Sequence, residues 1–254
     1  MQPNPIRAAM ASGNTVIAMW MALGSPEIAE AAVRHGWRTL LVDNEHGASN
    51  LDRAVEIHRA ALSGGGDVIL RVPSANPDYL KHVTDRGFRT IMAPMINTAE
   101  DAETFTKACR YPPLGTRGYS APTVRASGYG ADPNYRARSH EDLLLIAQIE
   151  HTEAVKNLDA IAAVDGIDVL FTGPNDLAGS IGQLENLGHP DVLALCEKVE
   201  ETVLKSGKWL GSIPRPGRTA QELHALGCRL IAGPLDINIF TAGARAALDD
   251  YDLT

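Results

Sequence analysis

Residues 143–182 read LLLIAQIEHTEAVKNLDAIAAVDGIDVLFTGPNDLAGSIG, and this stretch decides the fold. Its apolar run at 143–149 predicts a strand that is buried on both faces. A helix over about 151–164 and a second apolar strand over 167–171 follow it. A strand, a helix and a strand in this order form a βαβ unit, whose right-handed crossover makes the two strands parallel. The carboxyl ends of both strands therefore point the same way.

Each of these two strands ends in polar residues. Gln148 and Glu150 stand at the end of the first strand, and the sequence TGPND follows the second at 172–176. Because parallel strands end at the same edge of a sheet, we expect Glu150 and Asp176 to face one another.

The rest of the chain repeats the alternation of strand and helix. Further strands are predicted at 16–22, 39–43, 68–72, 90–93, 209–213 and 229–232. Further helices are predicted at about 26–36, 51–62, 77–86, 98–110, 190–205, 219–226 and 236–248. Eight strands, each followed by a helix, are typical of a (β/α)8 TIM barrel, and the 254 residues suit a single domain over 1–254.

The composition argues against several kinds of partner. With 23 basic and 31 acidic residues the net charge is −8, which disfavours a nucleic acid or a membrane as the main partner. The apolar run at 16–23 is too short to span a membrane and is interpreted as the first strand rather than a signal peptide. Cys109, Cys196 and Cys228 lack metal-ligand spacing, which predicts buried thiols and a reducing, cytoplasmic location.

Polar residues gather at the carboxyl ends of the predicted strands, where barrel enzymes build their active sites. They are Trp20, Asp43, Glu45, His46, Arg71, Gln148, Glu150 and the turn at 173–176. Glu150 and Asp176 fit the carboxylate ligands of a hard divalent cation such as Mg²⁺ or Mn²⁺. The alternative is that each carboxylate caps a helix or pairs with an arginine. Together at one rim, with Gln148 beside them, they favour a metal site.

Arg71 and His46 each leave two interpretations open. A guanidinium near a strand end fits a substrate carboxylate or a developing enolate oxygen, or else a salt bridge to Glu45 or Asp43. His46 follows Asp43 by three residues, so the pair is either an oriented general base or an aspartate beside an ordinary loop histidine.

Two further features bear on the type of chemistry. Gly173 and Pro174 precede Asp176 and leave backbone N–H groups at a helix N-terminus, a site that suits a carboxylate or phosphate. None of the lysines falls at the carboxyl end of a predicted strand, where a Schiff-base nucleophile would stand. Metal-assisted chemistry is therefore favoured over imine chemistry.

Six motifs, in order and over nearly the whole chain, resemble the HpcH/HpaI aldolase family. They are DNEHG at 43–47, RVP at 71–73, DRGFRTIMAP at 85–94, YPPLGTRG at 111–118, QIEHTEAVKNLDAI at 148–161 and GPNDLAGSIG at 173–182. The resemblance implies an α/β barrel of the phosphoenolpyruvate/pyruvate type. It also implies a class II, metal-dependent pyruvate aldolase, such as 4-hydroxy-2-oxoheptanedioate aldolase or 2-dehydro-3-deoxyglucarate aldolase.

The resemblance assigns chemical roles to five residues. It implies that Glu150 and Asp176 hold the metal, with Mg²⁺ or Mn²⁺ favoured over Co²⁺ or Zn²⁺. Arg71 would stabilise the enolate, and His46 with Asp43 would serve the acid–base steps.

The resemblance also implies a binding pocket and an assembly. The implied substrate-binding residues are Trp20, Gln148, Gly173, Pro174, Asn175 and Asp85. The pyruvate carboxylate would lie on the amides around Asn175 and Asp176. Family members are typically hexamers in which the last helix swaps between neighbours, so a homo-oligomer, trimer or hexamer, is expected. Asp85 resembles a residue that reaches the site of an adjacent subunit.

The sequence departs from the family pattern at three places. His151 follows the metal glutamate, Gly128-Tyr129 stands where an Arg-Trp pair is common, and the turn IPRP at 213–216 is unusual. These positions bear on the aldehyde end of the pocket. We expect the segment 111–140 and a neighbouring subunit to contact the aldehyde half of the substrate.

The predicted reaction is the retro-aldol cleavage of a 4-hydroxy-2-oxo acid to pyruvate and an aldehyde. The metal would act as a Lewis acid, and His46 or a metal-bound hydroxide would take the hydroxyl proton. One alternative is oxaloacetate decarboxylation or macrophomate-synthase-like chemistry on the same enolate. A CoA-ester lyase is disfavoured because the sequence shows no basic patch for the CoA phosphates. The alternative of another class is a non-catalytic, ligand-binding barrel.

Overall fold

A closed barrel of eight parallel strands, paired in chain order, forms the centre of the computed structural model, which describes residues 3–251. The strands are β1 (Val16–Met21), β2 (Thr39–Asp43), β3 (Asp67–Arg71), β4 (Thr90–Ala93), β5 (Leu144–Ile149), β6 (Val169–Thr172), β7 (Trp209–Ser212) and β8 (Leu230–Leu235). The predicted (β/α)8 TIM barrel is confirmed. Residues 1–2 and 252–254 lie outside the described residues, and the single domain over 1–254 stays a prediction.

Helices surround the barrel. They are α1 (Pro5–Ala11), α2 (Pro26–Arg34), α3 (Leu51–Ser63), α4 (Pro77–Asp85), α5 (Ala99–Cys109), α6 (Tyr135–Arg138), α7 (Thr152–Lys156), α8 (Leu158–Ala162), α9 (Pro174–Ser180), α10 (Pro190–Ser206), α11 (Ala220–Leu226) and α12 (Asp236–Asp249). Within residues 3–251, no helix combines the length and the apolar character that a membrane span requires.

The prediction of one helix over 151–164 is wrong, because the structure divides it into α7 and α8 at Asn157. The Asn157 side chain donates a hydrogen bond of 2.9 Å from Nδ2 to the backbone oxygen of Asn97. Asparagine is a weak helix former because its short amide competes with the backbone for hydrogen bonds. This tertiary contact therefore outweighs the apolar pattern that predicts a continuous helix.

Helix α1 is absent from the predicted elements, and it closes the amino-terminal end of the barrel. Ile6 and Met10 are buried against the interior cluster of the barrel. Asn4 caps the helix by accepting the N–H of Ile6, and its Nδ2 donates to Thr90 Oγ1 at 2.9 Å. Asn4 followed by Pro5 is a helix-start signal, so the sequence did carry the information.

Side chains alternate along β1 between the barrel interior and the helical layer. Val16, Ala18 and Trp20 pack in the interior cluster, whereas Met19 and Met21 belong to the core between the barrel and the helices. The alternation is the ordinary period of two of a strand. Trp20 is therefore the last interior side chain of β1 and reaches the carboxyl-terminal rim.

The register of the strands places the rim residues side by side. Asp43 at the end of β2 is paired with Arg71 at the end of β3. Ile149 of β5 is paired with Thr172 of β6. Glu150 and the residue after Thr172 consequently leave neighbouring strands at the same level.

Helix α12 projects from the barrel. Asp236 at its start is buried, and its carboxylate accepts the backbone N–H of Ala22 at 2.9 Å. Every residue from 238 to 251 is exposed, including Phe240 and Leu248. The helix is therefore anchored at one end and presents apolar side chains that its own chain does not cover.

The segment 111–140 folds around the buried guanidinium of Arg117. This group lies 4.3 Å from the centroid of the Tyr111 ring and donates to Tyr135 Oη at 3.1 Å. It also donates to Asp85 Oδ1 at 2.7 Å. These contacts tie the segment to the end of α4.

A buried histidine joins α3 to β3. His58 Nε2 lies 3.2 Å from Asp67 Oδ1, and His58 Nδ1 lies 3.3 Å from Arg125 Nη1. A neutral ring satisfies both contacts because Nε2 donates and Nδ1 accepts. Burial lowers the pKa of His58 below its ordinary value, and the nearby charges of Arg125 and Arg89 lower it further.

We expect the contribution of His58 to the free energy of unfolding to decrease as the pH falls from about 7 to about 5.5. The unfolded chain protonates His58 near its ordinary pKa of about 6.5, whereas the folded chain binds this proton only at lower pH. One proton contributes a slope of at most about 1.4 kcal/mol per pH unit. Urea unfolding at several pH values should give a smaller slope for His58→Gln than for the wild type. The control His35→Gln, at an exposed histidine, should keep the wild-type slope, and an unchanged slope in His58→Gln would contradict the prediction.

Candidate active site

A cavity of about 740 Å³ opens at the carboxyl-terminal rim of the barrel and extends to Ile17 and Ile231 on the outward faces of β1 and β8. Its polar lining residues include Asp43, His46, Arg71, Gln148, Glu150, Asn175 and Asp176. Its apolar lining residues include Trp20, Phe171, Pro174, Ile213 and Pro214. All the predicted site residues except Asp85 therefore line one cavity. Among the described residues, no lysine lines it.

Arg71 is held between two carboxylates. Its Nε and Nη2 donate to the two oxygens of Asp43 at 3.0 and 2.6 Å, and its Nη1 lies 2.7 Å from Glu45 Oε2. Burial acts to raise the pKa of Asp43, but the hydrogen bonds and charge of Arg71 outweigh it and hold that pKa below its ordinary value. A guanidinium has five N–H donors, and the two hydrogen bonds to Asp43 leave three, because the contact with Glu45 is an ion pair without hydrogen-bond geometry. Arg71 thus makes both of the salt bridges considered above and still lines the cavity.

Of the two interpretations of Asp43 and His46, the contacts favour an aspartate beside a loop histidine. Asp43 Oδ1 accepts the backbone N–H groups of Glu45 and His46, at 2.9 and 3.1 Å, and Oδ2 accepts from Trp20 Nε1 at 3.2 Å. The His46 side chain is 71% exposed, with Nε2 3.7 Å from Glu45 Oε1. Because Arg71 occupies the carboxylate, Asp43 shapes the loop and the His46 ring stands at the mouth of the cavity.

Glu150 is buried, and both of its oxygens have donors. Oε1 accepts the backbone N–H of Met95 at 2.8 Å, and Oε2 accepts from Gln148 Nε2 at 3.0 Å. Met95 has a φ of 52°, a left-handed conformation that is uncommon outside glycine. Gln148 Oε1 is buried and accepts no hydrogen bond from the described residues. The buried end of the cavity thus contains an acceptor oxygen without a donor.

The charges around Glu150 fit a divalent cation. Burial raises the pKa of Glu150 to about 7, although the hydrogen bond from the Met95 N–H acts to lower it. The negative charges of Asp176 and Glu45 raise it further. A cation would relieve this repulsion and satisfy the free Gln148 oxygen. Across residues 3–251, no group of three or more His, Cys, Asp and Glu side chains is arranged as a metal site. The candidate centre therefore rests on two carboxylates, a number that Mg²⁺ commonly takes together with water and substrate oxygens.

Gly173 leaves the space that Glu150 occupies. A Cβ atom at position 173 would lie 2.6 Å from Oε2 and 2.7 Å from Cβ of Glu150. Contacts this short require the neighbour to move. The position of the candidate metal ligand thus depends on a glycine in the adjacent turn.

Three sequence features lie outside this cavity. Asp85 ends α4 and binds Arg117, and its contribution to an adjacent subunit's site stays a prediction. The segment 111–140, anchored by Arg117, contributes none of its residues to the cavity of its own chain. Its predicted contact with the aldehyde end of the pocket stays a prediction. His151 has a structural role as the cap of α7, with Nδ1 accepting the N–H of Glu153 at 3.1 Å.

Met95 and Phe171 belong to the site but were not predicted from the sequence. Met95 acts through its backbone N–H, and a methionine side chain gives no sign of a left-handed conformation. Phe171 packs edge-on against Trp20, with 6.5 Å between ring centroids. The sequence did contain a signal for Phe171, because the period of two along β6 places it on the inward face with Val169.

The fold and the site define a (β/α)8 barrel with a polar, rim-facing active-site cavity. The chain belongs to the HpcH/HpaI aldolase/citrate lyase family, whose model matches residues 16–241. The family identified from the motifs is thereby confirmed.

The chain is also similar to named relatives along nearly its whole length. It is 39% identical over 246 residues to a 4-hydroxy-2-oxovalerate aldolase of Novosphingobium aromaticivorans, covering 96% of this chain and 93% of the relative. It is 35% identical over 238 residues to a 2-keto-3-deoxy-L-rhamnonate aldolase of Klebsiella pneumoniae, covering 94% and 89%. A crystal structure of a family member from Burkholderia cenocepacia superposes with a TM-score of 0.91 at 30% identity, covering 97% and 98%. The predicted enzyme class, a carbon–carbon lyase, is confirmed.

The substitution Gly173→Ala tests the packing around Glu150. We expect the affinity for Mn²⁺ to fall by about tenfold or more, because the new methyl group displaces a carboxylate that the structure holds by two hydrogen bonds. Titration calorimetry with Mn²⁺ measures the change. Gly188→Ala is the matched control, since a Cβ at position 188 meets no atom within 4 Å. Equal Mn²⁺ affinities of both variants would contradict the assignment.

Proposed function

We propose that this protein is a metal-dependent aldolase that cleaves a 4-hydroxy-2-oxo acid to pyruvate and an aldehyde, or forms it from them, through a pyruvate enolate. The observation that carries the proposal is the presence of Glu150, Asp176 and Arg71 in one lysine-free rim cavity. The aldolase names of relatives at 35% and 39% identity support the same chemistry.

The cation would be held by Glu150 and Asp176, with Gln148 Oε1 as a neighbouring acceptor. Mg²⁺ or Mn²⁺ is proposed first, because carboxylate and carbonyl oxygens suit hard cations, and Co²⁺ or Zn²⁺ second. When bound, the cation supplies Lewis-acid withdrawal of electrons from the 2-oxo group of the substrate.

The chain's own residues orient the substrate and move its protons. The remaining N–H donors of Arg71 stabilise the developing enolate oxygen, and Asp43 and Glu45 hold the guanidinium in place. The backbone amide of Asn175, in the first turn of α9, faces the substrate carboxylate. His46, at the mouth, accepts the proton of the 4-hydroxyl group. The C3–C4 bond breaks, its electron pair forms the enolate, and protonation at C3 yields pyruvate.

Removal of the metal ligands should abolish turnover. We expect Glu150→Gln and Asp176→Asn each to lower kcat/KM for aldol cleavage by about 100-fold or more, because each removes a negative charge from the metal centre. Treatment with EDTA should stop the wild-type reaction, and added Mg²⁺ or Mn²⁺ should restore it. Glu141→Gln, at an exposed carboxylate, is the control and should keep the wild-type rate.

Three outcomes of these assays would contradict the proposal. Full activity after EDTA treatment would exclude a metal-dependent reaction. Unchanged activity in Glu150→Gln would favour a barrel that binds ligands without turning them over. A kcat/KM for oxaloacetate decarboxylation far above that for any 4-hydroxy-2-oxo acid would assign the enolate to a decarboxylase.

We propose further that the protein is a homo-oligomer, a trimer or hexamer, assembled through α12. The helix exposes Ile239, Phe240 and Leu248, and its main contacts within the chain are with β1 and β8. Uncovered apolar side chains of this size favour burial against another protein surface. Ile17 on the outer face of β1 is 54% exposed and offers such a surface. In that assembly Asp85 would contribute to the site of a neighbouring subunit.

Charged substitutions on α12 test the assembly. Phe240→Glu and Leu248→Glu should convert the oligomer to smaller species, because a carboxylate cannot be buried without a partner. Light scattering coupled to size-exclusion chromatography measures the mass. Leu184→Glu is the matched control, because Leu184 and Leu248 are both 71% exposed, and it should leave the mass unchanged. A wild-type mass equal to one chain would contradict the proposal.

A cytoplasmic location completes the proposal. Cys109, Cys196 and Cys228 are all buried and free. Three free thiols are typical of proteins in a reducing compartment.

A further inference from the structure

The rim cavity divides into a charged half and an apolar half. The charged half comes from the ends of β2, β3 and β5 and from the turn after β6. The apolar half is formed by Trp20, Phe171, Ile213, Pro214, Ala232 and Pro234. The oxo acid is held by the charged half in the proposed reaction, so the side chain of the aldehyde lies against the apolar half.

Within the described part of one chain, the cavity offers no lysine and no arginine without a carboxylate partner to an aldehyde that carries a carboxylate. Among the described residues that line it, Arg71 is the sole arginine or lysine, and Asp43 and Glu45 already bind it. Asp43, Glu150 and Asp176 make the lining predominantly acidic. A carboxylate at the far end of an aldehyde would lose its hydration against apolar side chains and gain no partner. An uncharged aldehyde of the same shape meets no such cost.

The turn that carries Ile213 and Pro214 is fixed from behind by a buried ion pair. Arg215 Nη2 lies 2.5 Å from Glu200 Oε1 on α10, and both side chains are almost fully buried. Arg218 Nε donates to the other oxygen of Glu200 at 3.2 Å. The backbones of Arg215 and Arg218 exchange two hydrogen bonds of 2.9 Å. Ile213 and Pro214 form the apolar wall of the cavity. The contacts of Arg215 and Glu200 make this wall a pre-formed surface instead of a loop that can adapt to an anionic substrate.

We propose that the turn between β7 and α11, held by the Arg215–Glu200 pair, is the aldehyde-selectivity element, and that the protein takes uncharged, apolar aldehydes in preference to aldehydes that end in a carboxylate. Ile213 and Pro214 contact the aldehyde side chain. Arg215 and Glu200 are positioning residues. The inference rests on the proposed aldolase function, since it names the substrate class of the same site.

A pair of aldehydes with matched shape tests the selectivity. The aldehydes 4-oxobutanoate and 4-methylpentanal differ mainly in the replacement of two carboxylate oxygens by two methyl groups. With pyruvate and Mg²⁺ present, we expect kcat/KM for 4-methylpentanal to exceed that for 4-oxobutanoate by about 30-fold or more. Equal values, or a preference for 4-oxobutanoate, would overturn the inference.

Substitutions at Ile213 test whether the wall is responsible. Ile213→Arg places a cation on the wall and should shift the ratio of the two kcat/KM values towards 4-oxobutanoate by about tenfold or more. Ile213→Met keeps the wall apolar and should keep the wild-type ratio. The same ratio in Ile213→Arg and Ile213→Met would overturn the role of the wall.

The ion pair is tested by replacing both buried partners together. Arg218 then loses Glu200, but its side chain is 30% exposed and its Nη2 lies 3.8 Å from Glu197 Oε1. The double variant Glu200→Met/Arg215→Met should fold, because apolar residues often replace a buried ion pair without loss of stability. We expect its KM for 4-methylpentanal to rise by about fivefold or more while its KM for pyruvate stays unchanged, because only the wall is released. A lower melting temperature with both KM values unchanged would show that the pair is merely structural and would overturn its positioning role.

Deuterium exchange separates this inference from the proposed function. An aldolase of this kind exchanges the C3 protons of pyruvate with D2O in the absence of any aldehyde, and NMR measures the rate. If the protein exchanges these protons but prefers 4-oxobutanoate, the inferred selectivity is overturned and the proposed aldolase function stands. Absence of exchange with Mg²⁺ or Mn²⁺ overturns the proposed function, and the selectivity falls with it.

Discussion

The site depends on one buried guanidinium placed among carboxylates. Arg71 compensates Asp43 and Glu45 directly, and its charge lowers the pKa of Glu150 only in part. The net result is a cavity floor with more negative than positive charge, in which Glu150 has a pKa of about 7. Such an arrangement is stable with a cation or with a proton, and a cation leaves Glu150 in the ionised form that metal binding requires. The excess of negative charge around Glu150 therefore agrees with the proposed metal site.

Much of the accuracy of the site comes from the backbone instead of from side chains. The N–H of Met95 fixes one oxygen of Glu150, and the missing side chain of Gly173 gives the carboxylate its space. On the opposite wall, Arg215 and Glu200 fix a turn without touching the cavity themselves. Met95 and Gly173 thus determine the position of the Glu150 carboxylate, and the Arg215–Glu200 pair determines the position of the turn at 213–214. Supporting contacts of this kind are usual in enzymes.

The sequence predicts the barrel and the shared rim because both follow from local patterns. Apolar runs mark the strands, parallel pairing aligns their ends, and Glu150 and Asp176 must then meet. The hydrogen-bond partner of Asp43 cannot be predicted from local patterns in the same way. Spacing along the chain suggested His46 for Asp43, whereas the strand register delivers Arg71, a residue 28 positions away. A bidentate guanidinium is a stronger partner for a buried carboxylate than an exposed imidazole, and only the register reveals that it is in reach. The break of the helix at 151–164 has a similar origin, since a side-chain contact with a distant loop decides it.

Helix α1 has a consequence for the order of events in the cavity. Ile6 and Met10 close the far end of the barrel, so reactants and products share the mouth at the opposite rim. Glu150 and Gln148 are buried at the inner end, and Pro214 is exposed at the outer end. A molecule beside Glu150 therefore lies beneath anything that binds at Pro214. For the proposed reaction we therefore expect ordered kinetics: in aldol formation pyruvate enters before the aldehyde, and in cleavage the aldehyde leaves before pyruvate.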